Sequence, residues 1–507
     1  MSRLARPLQL ASMHSRLVHR IASASFTAIA SLTAAFTAGC FTDTGSPVAS
    51  LDAGADATST EAGVDGSPVD DAANAGTVVI STDGGTPISP TAFGNNYWDW
   101  VDWSNDGVSG LTGTESQVQL QHLNVLRAGG FNNDANTPKL FDTSRIDAFV
   151  TYCRAVGAEP ILQVPLISND VDGGAATADT AAAMVTYANV TMGYGIQYWE
   201  IGNEPDIYSM QFDAGSGLPM SPADLCTDYA AYATAMKAAN AAAADGGVTM
   251  QFLGPELAYK YTSGSDDWLT PFLDACKDYV DVVSVHRYPF SAAQTSVSGA
   301  LNDVTQFRDV VSSVSSIVAN HARPGTPLAI TEANISYDYD STKYTAASAV
   351  AAPGTFPAAL WTADVAGAAL EANLWTLAFW NLGELPGTGS VLGFIVGGTP
   401  VPAYYAEQLV SANFRGNVVK PAGVPAGYSV YASHDPAGAS TAVLVLNKTT
   451  TASRAGIAVD ALPVQSFVFP AMSMTLVTIP DAADGGVHVT RYTGDDADAG
   501  SAPQMLQ

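Results

Sequence analysis

The chain predicts an α/β fold, a (β/α)8 TIM barrel followed by a C-terminal β-sandwich, and three features carry that expectation. Apolar, β-branched runs alternate with helical patterns eight times across residues 90–414. Most of these runs finish in a side chain able to bond a polar ligand. Beyond residue 414 the pattern changes to short strands separated by Gly, Pro and Asn turns. A doubly wound open sheet fits the alternation too, but polar endings on so many strands favour a closed ring with its site on one rim.

The eight strand candidates are residues 91–97, 125–130, 160–164, 196–204, 250–256, 282–288, 328–334 and 374–381. The fourth is representative. Its aromatic and β-branched run ends in Gly202-Asn203-Glu204-Pro205, and Pro205 has no N–H with which to continue a ladder. Between the runs lie helical patterns at 142–156, 178–191, 267–277, 300–322 and 358–372. Another begins at Ser221-Pro222-Ala223-Asp224, an N-cap with proline in the first helical position and an acid in the first turn, and runs to residue 244. Residues 415–480 hold the sandwich, with strands expected at 428–431, 441–447, 465–469 and 473–479. Residues 77–89 precede the barrel, and Thr77-Val78-Val79-Ile80 can add a strand to that sandwich, joining the two ends of the chain.

The 507 residues are 47% apolar, enough for a sizeable core, and the formal charge is −28 from 20 basic and 48 acidic side chains. Much of the acid is concentrated in residues 41–76, which read as a disordered acidic linker, and in 481–507, which read as a disordered acidic tail. So acidic a chain argues against nucleic acid and against long polyanionic substrates. Residues 1–40 read as an export signal, with Arg3, Arg6, Arg16 and Arg20 ahead of a short apolar stretch too interrupted to span a membrane. The stretch ends Thr37-Ala38-Gly39-Cys40. This resembles a bacterial lipobox, in which Cys40 is lipidated, although the usual Leu three before the cysteine is Thr37; ordinary signal cleavage is the alternative. The expected location is the cell surface or outer membrane, otherwise the periplasm or medium, with membrane contact only through that anchor.

With Cys40 set aside, Cys153, Cys226 and Cys276 allow one bridge at most. Cys226 and Cys276 are the better partners, because Cys153 falls in a helical pattern as a small core residue. No cysteine or histidine spacing suggests zinc, and there is no phosphate-binding glycine loop and no repeat. No metal or cofactor is expected. The composition leaves oligomeric state open.

Glu204 ends the fourth strand and Glu332 the seventh, so an eight-stranded ring sets them across one mouth. Glycosidic bonds are cleaved by such a pair, one carboxyl donating a proton to the leaving oxygen and the other attacking the sugar or activating water. A separation of about 5 Å means a covalent, retaining mechanism and one above about 6.5 Å an inverting one.

Gly202-Asn203-Glu204-Pro205, His286-Arg287-Tyr288 and Thr331-Glu332-Ala333-Asn334, after strands four, six and seven, resemble the retaining glycoside hydrolases of clan A. The segments Trp199 to Asp206 and Ala359-Leu360-Trp361-Thr362-Ala363-Asp364, with the attached sandwich, are similar to family 79, the β-glucuronidase and heparanase family; families 39, 44, 30 and 51 share the clan features. The resemblance implies a retaining β-glycosidase, with a β-glucuronidase as one reading and an endo-acting β-glycanase as another. It makes Glu204 the acid/base and Glu332 the nucleophile, and has Asn203 bond the sugar 2-hydroxyl.

The neighbouring residues carry two readings each. Tyr288 lies on the same strand face as His286 and can donate to Glu332. Arg127 either holds the nucleophile or forms a buried structural pair. His286 is a substrate contact or a satisfied core histidine, and Arg287, on the opposite face, is structural. Trp380 offers an aromatic floor for a pyranose or packs in the core. Asn96 is read as a sugar contact, and Lys260 as a group able to meet a uronate carboxylate. The rival to an enzyme is a carbohydrate-binding surface lipoprotein, which loss of either acid would have favoured; both acids are present.

Overall fold

Eight short parallel strands close on one another in the computed structural model of the protein. It describes residues 73–97, 111–135, 143–167, 176–212, 218, 221–243, 247–262, 264, 266–345, 352–387, 391–482 and 485–506. The expected export signal, Cys40 and nearly all of the linker lie outside these residues. Asp71–Tyr208 and Ala214–Gln507 make one compact unit, which holds everything described below; Met1–Asp70 and Ser209–Asp213 make another, of which only residues 209–212 are described.

The barrel strands are β3 (Phe93–Asn96), β4 (Val125–Ala128), β5 (Glu159–Val164), β6 (Tyr198–Ile201), β7 (Gln251–Leu257), β8 (Val282–Arg287), β9 (Leu328–Ala333) and β10 (Leu377–Phe379), each overlapping one expected run. They close in chain order, with β10 pairing β3, and every pairing in the ring is parallel. Helices α1 (Glu115–Gln121), α2 (Phe131–Ala135), α3 (Thr143–Val156), α4 (Ala178–Val185), α5 (Pro222–Asn240), α6 (Leu269–Cys276), α7 (Val297–His321), α8 (Phe356–Glu371) and α9 (Pro402–Ser411) run between and after them. With a helix layer outside and a core within, strands are buried on both faces, which is why they read as continuous apolar runs rather than alternating ones.

Local chemistry starts these helices where expected. The Ser221 hydroxyl accepts from the Asp224 N–H at 3.2 Å ahead of α5, and Ser296 from Gly299 at 3.0 Å ahead of α7. The expected helix over 178–191 is α-helical only through Val185. Residues 186–191 widen into a π-helical turn, where buried Asn189 accepts from the Ile196 N–H and donates to the Ile196 carbonyl and Asn240. Cys226 of α5 and Cys276 of α6 form the disulfide, with Cα atoms 5.4 Å apart, and Cys153 is a buried free thiol.

At the amino end of the ring the interior is apolar, filled by Val125, Ile161, Leu253, Val282 and Ala329, with Tyr198 and Trp375 packed against them and edge to face with each other. Two residues further along the strands the inward positions become polar: Arg127, Gln163, Glu200 and Ser284, all fully buried. The barrel therefore has a dry floor with an ionic layer above it.

Beyond β10 a small sheet of β11 (Gly383–Glu384), β12 (Ile395–Val396) and β13 (Thr399–Pro400) precedes α9. The sandwich pairs two sheets. One orders β1 (Ala73–Ile80), β17 (Ser453–Val459) and β18 (Gln465–Phe469). The other orders β2 (Thr86–Pro87), β14 (Asn417–Val419), β15 (Tyr428–Asp435), β16 (Ser440–Asn447), β19 (Ser473–Pro480), β20 (His488–Thr493) and β21 (Gln504–Met505). Between them Val78, Ile80, Val430, Val443, Val445, Ile457, Phe469 and Val477 form one core. Two expectations are corrected here. The linker does not extend to residue 76, because β1 begins at Ala73 and pairs in parallel with β17. Nor is 481–507 a disordered tail through its described residues. Val489 and Tyr492 are buried as β20 pairs β19, and the acids that suggested disorder open helix α10 (Gly494–Asp498), where Thr493 and Asp496 form a capping box.

The motif at 359–364 fastens the barrel internally and to the sandwich. Trp361 Nε1 donates to Asp303 at 2.9 Å, beside the 2.6 Å Arg287–Asp303 ion pair. Asp364 accepts from the Tyr431 hydroxyl at 2.6 Å and from Lys448 Nζ at 2.8 Å. Gly367 lets the barrel and the sandwich meet: a Cβ there would lie 2.3 Å from the Tyr431 ring.

On the outer side of the ring, Asn95 of β3 and Gln121 of α1 both donate to the buried carboxyl of Glu407 on α9, at 3.0 and 2.7 Å. Burial pushes this carboxyl up to about 8, against the pull of the two amides. Between about pH 4.5 and about pH 8 the folded protein therefore holds a proton that the unfolded chain has released, and stability falls as pH rises through that window. Glu407→Gln keeps an acceptor and removes the titration. Denaturant midpoints should show it about 1–3 kcal/mol more stable than the native protein near pH 8 and with a shallower pH slope; an unchanged slope would refute the assignment.

Candidate active site

The carboxyl ends of the strands open into a cluster of four glutamates, one arginine and one histidine, positioned by backbone turns that few sequences tolerate. After β6 the chain reverses through Gly202, at φ +76°, where a Cβ would lie 2.6 Å from the Tyr208 hydroxyl. Glu204 itself has φ +54° and is followed by Pro205. The turn is tied down on three sides. The Gly202 N–H donates to the Val164 carbonyl at 2.9 Å, the Asn203 N–H to Asp134 at 2.9 Å, and the Glu204 N–H to the Glu256 carbonyl at 2.9 Å. Asp134, on α2, also accepts from the Leu166 N–H and the Tyr208 hydroxyl, and burial pushes its carboxyl up to about 7. This brace presents Asn203 and Glu204 to the mouth.

Arg127 of β4 is the centre of the ionic layer. Its Nε donates to Glu200 at 2.6 Å, Nη1 to Asn96 at 2.9 Å and Glu332 at 2.7 Å, and Nη2 to Asn203 at 2.9 Å; Nη2 also lies 3.7 Å from Glu256. Gly129 makes room, since a Cβ there would be 2.8 Å from the Arg127 guanidinium carbon. Burial alone would disfavour this cation, but Glu200, Glu332 and Glu256 outweigh it and raise its pKa further.

Glu332 receives one donor on each oxygen: Arg127 on Oε1, and the Tyr288 hydroxyl on Oε2 at 2.8 Å. Burial, and then the Glu332 charge, push the Tyr288 phenol up, so it remains a donor. Glu204 meets the ring of His286, whose Nδ1 stands 3.1 Å from Glu204 Oε1 and 3.6 Å from Glu332 Oε2, while Nε2 stands 3.1 Å from Glu256 Oε2. One oxygen of Glu204 lies within 4.8 Å of one of Glu332, with His286 Nδ1 inside the same circle. That spacing would suit a small cation, but its occupant would share the site with the charges of Arg127 and His286.

Protonation divides the four acids. Burial raises Glu204, with the Glu332 charge adding to it and His286 opposing, which favours the neutral acid. Burial also pushes Glu200 up to about 8. Glu256 is equally buried, yet His286, Arg127 and the Ser284 hydroxyl hold it below the usual carboxylate range. His286 is lowered by burial but surrounded by Glu332, Glu204 and Glu256, and is pushed up to about 10. With Glu204 and Glu200 pushed toward the neutral form, the layer sets the cations Arg127 and His286 against fewer full negative charges than its four carboxyls would otherwise carry.

Of the residues expected here, Glu204, Glu332, Asn203, Tyr288, Arg127 and His286 converge, and two change role. Asn96 is fully buried, and its amide donates to the Thr331 and Phe379 carbonyls while accepting from Arg127, so it braces the ring and cannot reach a sugar. His286, also fully buried, stands against the carboxyl groups of Glu204, Glu256 and Glu332. Asn203 Oδ1 is taken by Arg127, and its Nδ2 makes no hydrogen bond among the described residues. Trp380 is partly exposed and lies over Gly130, where a Cβ would be 2.5 Å from the indole. Lys260 Nζ sits over the Trp268 and Tyr259 rings at 5.4 and 5.9 Å, on a loop whose N–H groups at 258, 259 and 260 all donate to Asp206.

Sequence reasoning assigned no role to Glu200, Glu256 or Asp134. Glu200 carried a signal, being a charge inside an apolar strand two residues from Tyr198 and so on the same inward face. Glu256 ended an expected strand, as Glu204 and Glu332 do, but only the fold shows it turned to His286.

Residues 173–351 match the family model described as a glycosyl hydrolase catalytic core; the segment contains Glu204, Glu256, His286 and Glu332, and Arg127 lies outside it. No curated protein matches by sequence. Solved structures share the fold. A Paenibacillus polymyxa family 44 xyloglucanase with xyloglucan is 13% identical with a TM-score of 0.57, the match covering 80% of this chain and 97% of that one. A Clostridium acetobutylium family 44 endoglucanase is 14% identical at 0.59, covering 80% and 99%. The family 51 α-L-arabinofuranosidase AbfB of Bifidobacterium longum is 16% identical at 0.59, again covering 80% and 99%. The chain thus carries a glycosyl hydrolase catalytic core, set at the carboxyl ends of a barrel whose fold those enzymes share.

Proposed function

We propose that the protein is a retaining glycoside hydrolase of the clan A kind, acting on β-glycosides, with Glu332 as nucleophile and Glu204 as acid/base. The observation that carries this reading is the approach of the two carboxyls to within 4.8 Å, on the retaining side of the divide and too close to seat a water for direct displacement. Their environments differ as the two roles require. Glu332 has a cation and a phenol to stabilise its negative charge, while Glu204 is kept neutral to protonate the leaving oxygen. When Glu332 is esterified its charge disappears from beside Glu204, whose acidity rises, and Glu204 can then take a proton from water. The free Nδ2 of Asn203 is placed to bond the sugar 2-hydroxyl, and the partly exposed indole of Trp380 to stack on the sugar.

For the sugar, a β-glucuronide is one reading, supported by Lys260 on the loop that Asp206 pins beside the acid/base. The names of the structural neighbours add glucan, xyloglucan and α-L-arabinofuranoside as others. We further propose export, with lipidation of Cys40, on the basic start, the apolar stretch and Ala38-Gly39-Cys40.

A screen of aryl β-glucuronide, glucoside, xyloside, galactoside and α-L-arabinofuranoside together with xyloglucan identifies the substrate. With it, Glu332→Gly should lose on the order of 10⁴-fold or more in kcat; unchanged turnover would remove Glu332 from the nucleophile role. In Glu204→Ala, added azide should restore turnover of an activated glycoside and yield a glycosyl azide of retained configuration, and a variant indifferent to azide would contradict the acid/base assignment. Tyr288→Phe deletes one donor to Glu332 and should lower kcat/KM about 10²-fold with little change in Tm; near-native activity would show that the phenol does not hold the nucleophile.

A further inference from the structure

We propose that Glu256 is a positioning residue that acts through His286 on the acid/base, the three forming a carboxylate–imidazolium–carboxyl line from β7 through β8 to the turn after β6. This rests on the glycosidase reading and assigns Glu256 and His286 a task within it, control of the second step. Glu256 is fully buried, and among the described residues its carboxyl oxygens are met by donors. The Ser284 hydroxyl bonds Oε1; the Thr331 hydroxyl at 2.5 Å and His286 Nε2 at 3.1 Å bond Oε2, with Arg127 Nη2 at 3.7 Å. A carboxylate so surrounded accepts and does not donate, so Nε2 of His286 must carry a hydrogen. That leaves Nδ1 to decide the charge of the ring.

Facing Nδ1 are two more carboxyl groups, Glu204 at 3.1 Å and Glu332 at 3.6 Å. The other charged or titratable groups around the ring are Arg127 from β4, beyond Glu256 and Glu332; Glu200 from β6, beyond Arg127; and Tyr288, bonded to Glu332. Around the imidazole the carboxyls of Glu204, Glu332, Glu256 and Glu200 stand against the cation Arg127, and a lone pair on Nδ1 would point at carboxyl oxygens. The ring is therefore doubly protonated, and its Nδ1–H donates to Glu204 Oε1.

The consequence falls on the second chemical step. In the free enzyme the Glu332 charge opposes ionisation of Glu204 and offsets the imidazolium. Once the sugar is bonded to Glu332, that opposition is gone and the Nδ1–H remains, so Glu204 settles as the carboxylate that receives a proton from the attacking water. His286 keeps both its hydrogens throughout: Glu204 gives one proton to the leaving oxygen and regains one from water. Without the negative charge of Glu256 behind it, the ring loses its preference for the cation, and Glu204 loses the donor that makes it a base.

Glu256→Gln tests this, because the amide keeps the volume and an acceptor for Nε2–H while removing the charge. With a 2,4-dinitrophenyl β-glycoside, whose leaving group needs no acid, the variant should release a burst of about one dinitrophenolate per active site and then turn over about tenfold or more slower than native protein. On a glycoside with a poorer leaving group the basic limb of its kcat/KM profile should move up by at least about half a pH unit. A residue of merely structural importance would lower the burst amplitude and leave that limb in place, which would overturn the proposal. In native protein labelled with ¹⁵N-histidine, one of the seven histidines should stay doubly protonated above about pH 8. Absence of such a ring overturns the proposal even if the variant fails to fold. A charged ring in a protein without glycosidase turnover would instead sink the functional reading and leave this electrostatic line standing.

Discussion

One guanidinium, removed from water, holds the active end of this barrel together. Arg127 reaches Asn96 on β3, Asn203 after β6, Glu200 within β6 and Glu332 on β9, and approaches Glu256 on β7, so its donors join strands from all around the ring. A buried cation of this kind is stable only if its donors are used and its charge matched, and each acid it meets is equally dependent on it. Breaking one pair leaves the other partners with uncompensated charge, an effect of about 3–5 kcal/mol. The glycine at 129 and the buried amides at 96 and 203 follow from that requirement.

The same constraint sorts the protons. Four carboxyls share a space with two cations, and burial penalises surplus charge, so Glu204 and Glu200 are pushed toward the neutral form while donors hold Glu256 low. The neighbours differ: Glu256 and Glu332 have donors on both oxygens, Glu204 faces the His286 ring, and Glu200 has one oxygen bound by Arg127. In the proposed mechanism an acid and a nucleophile thus arise from identical side chains through their surroundings. Because the balance includes Glu332, the proposed esterification would redistribute the charge, and that coupling is what would let one carboxyl serve as acid and then as base.

Much of this is legible in the linear chain, and the exceptions have physical causes. The eight strands could be read because parallel strands buried on both faces are continuously apolar and end abruptly in polar groups, so Glu204, Glu332, Tyr288 and Arg127 announced themselves at strand ends. Asn96 did too, but residue type does not say whether an amide bonds a sugar or two carbonyls. Glu200 and Glu256 depend on which way a side chain turns within the ring; Glu256 follows Gly254-Pro255 and has φ +57°, a local geometry that periodicity does not encode. In the sandwich, β17 alternates buried Ser453, Ala455, Ile457 and Val459 with Arg454 and Gly456, residues too small or too polar to signal a strand. The C-terminal acids misled for the opposite reason: in the first turn of a helix they are capped and favoured, although their composition is that of a disordered tail.

If Glu332 attacks the sugar while Glu204 stands across from it, the glycosyl-enzyme intermediate can be trapped. A 2-deoxy-2-fluoro glycoside with a good leaving group slows the second step more than the first, so the glycosyl-enzyme accumulates and can be digested and mapped by mass spectrometry. One sugar per chain, esterified to the peptide that carries Thr331-Glu332-Ala333-Asn334, is the expected result. A label on Glu204 or any other residue, or hydrolysis with inverted configuration and no covalent adduct, would contradict it.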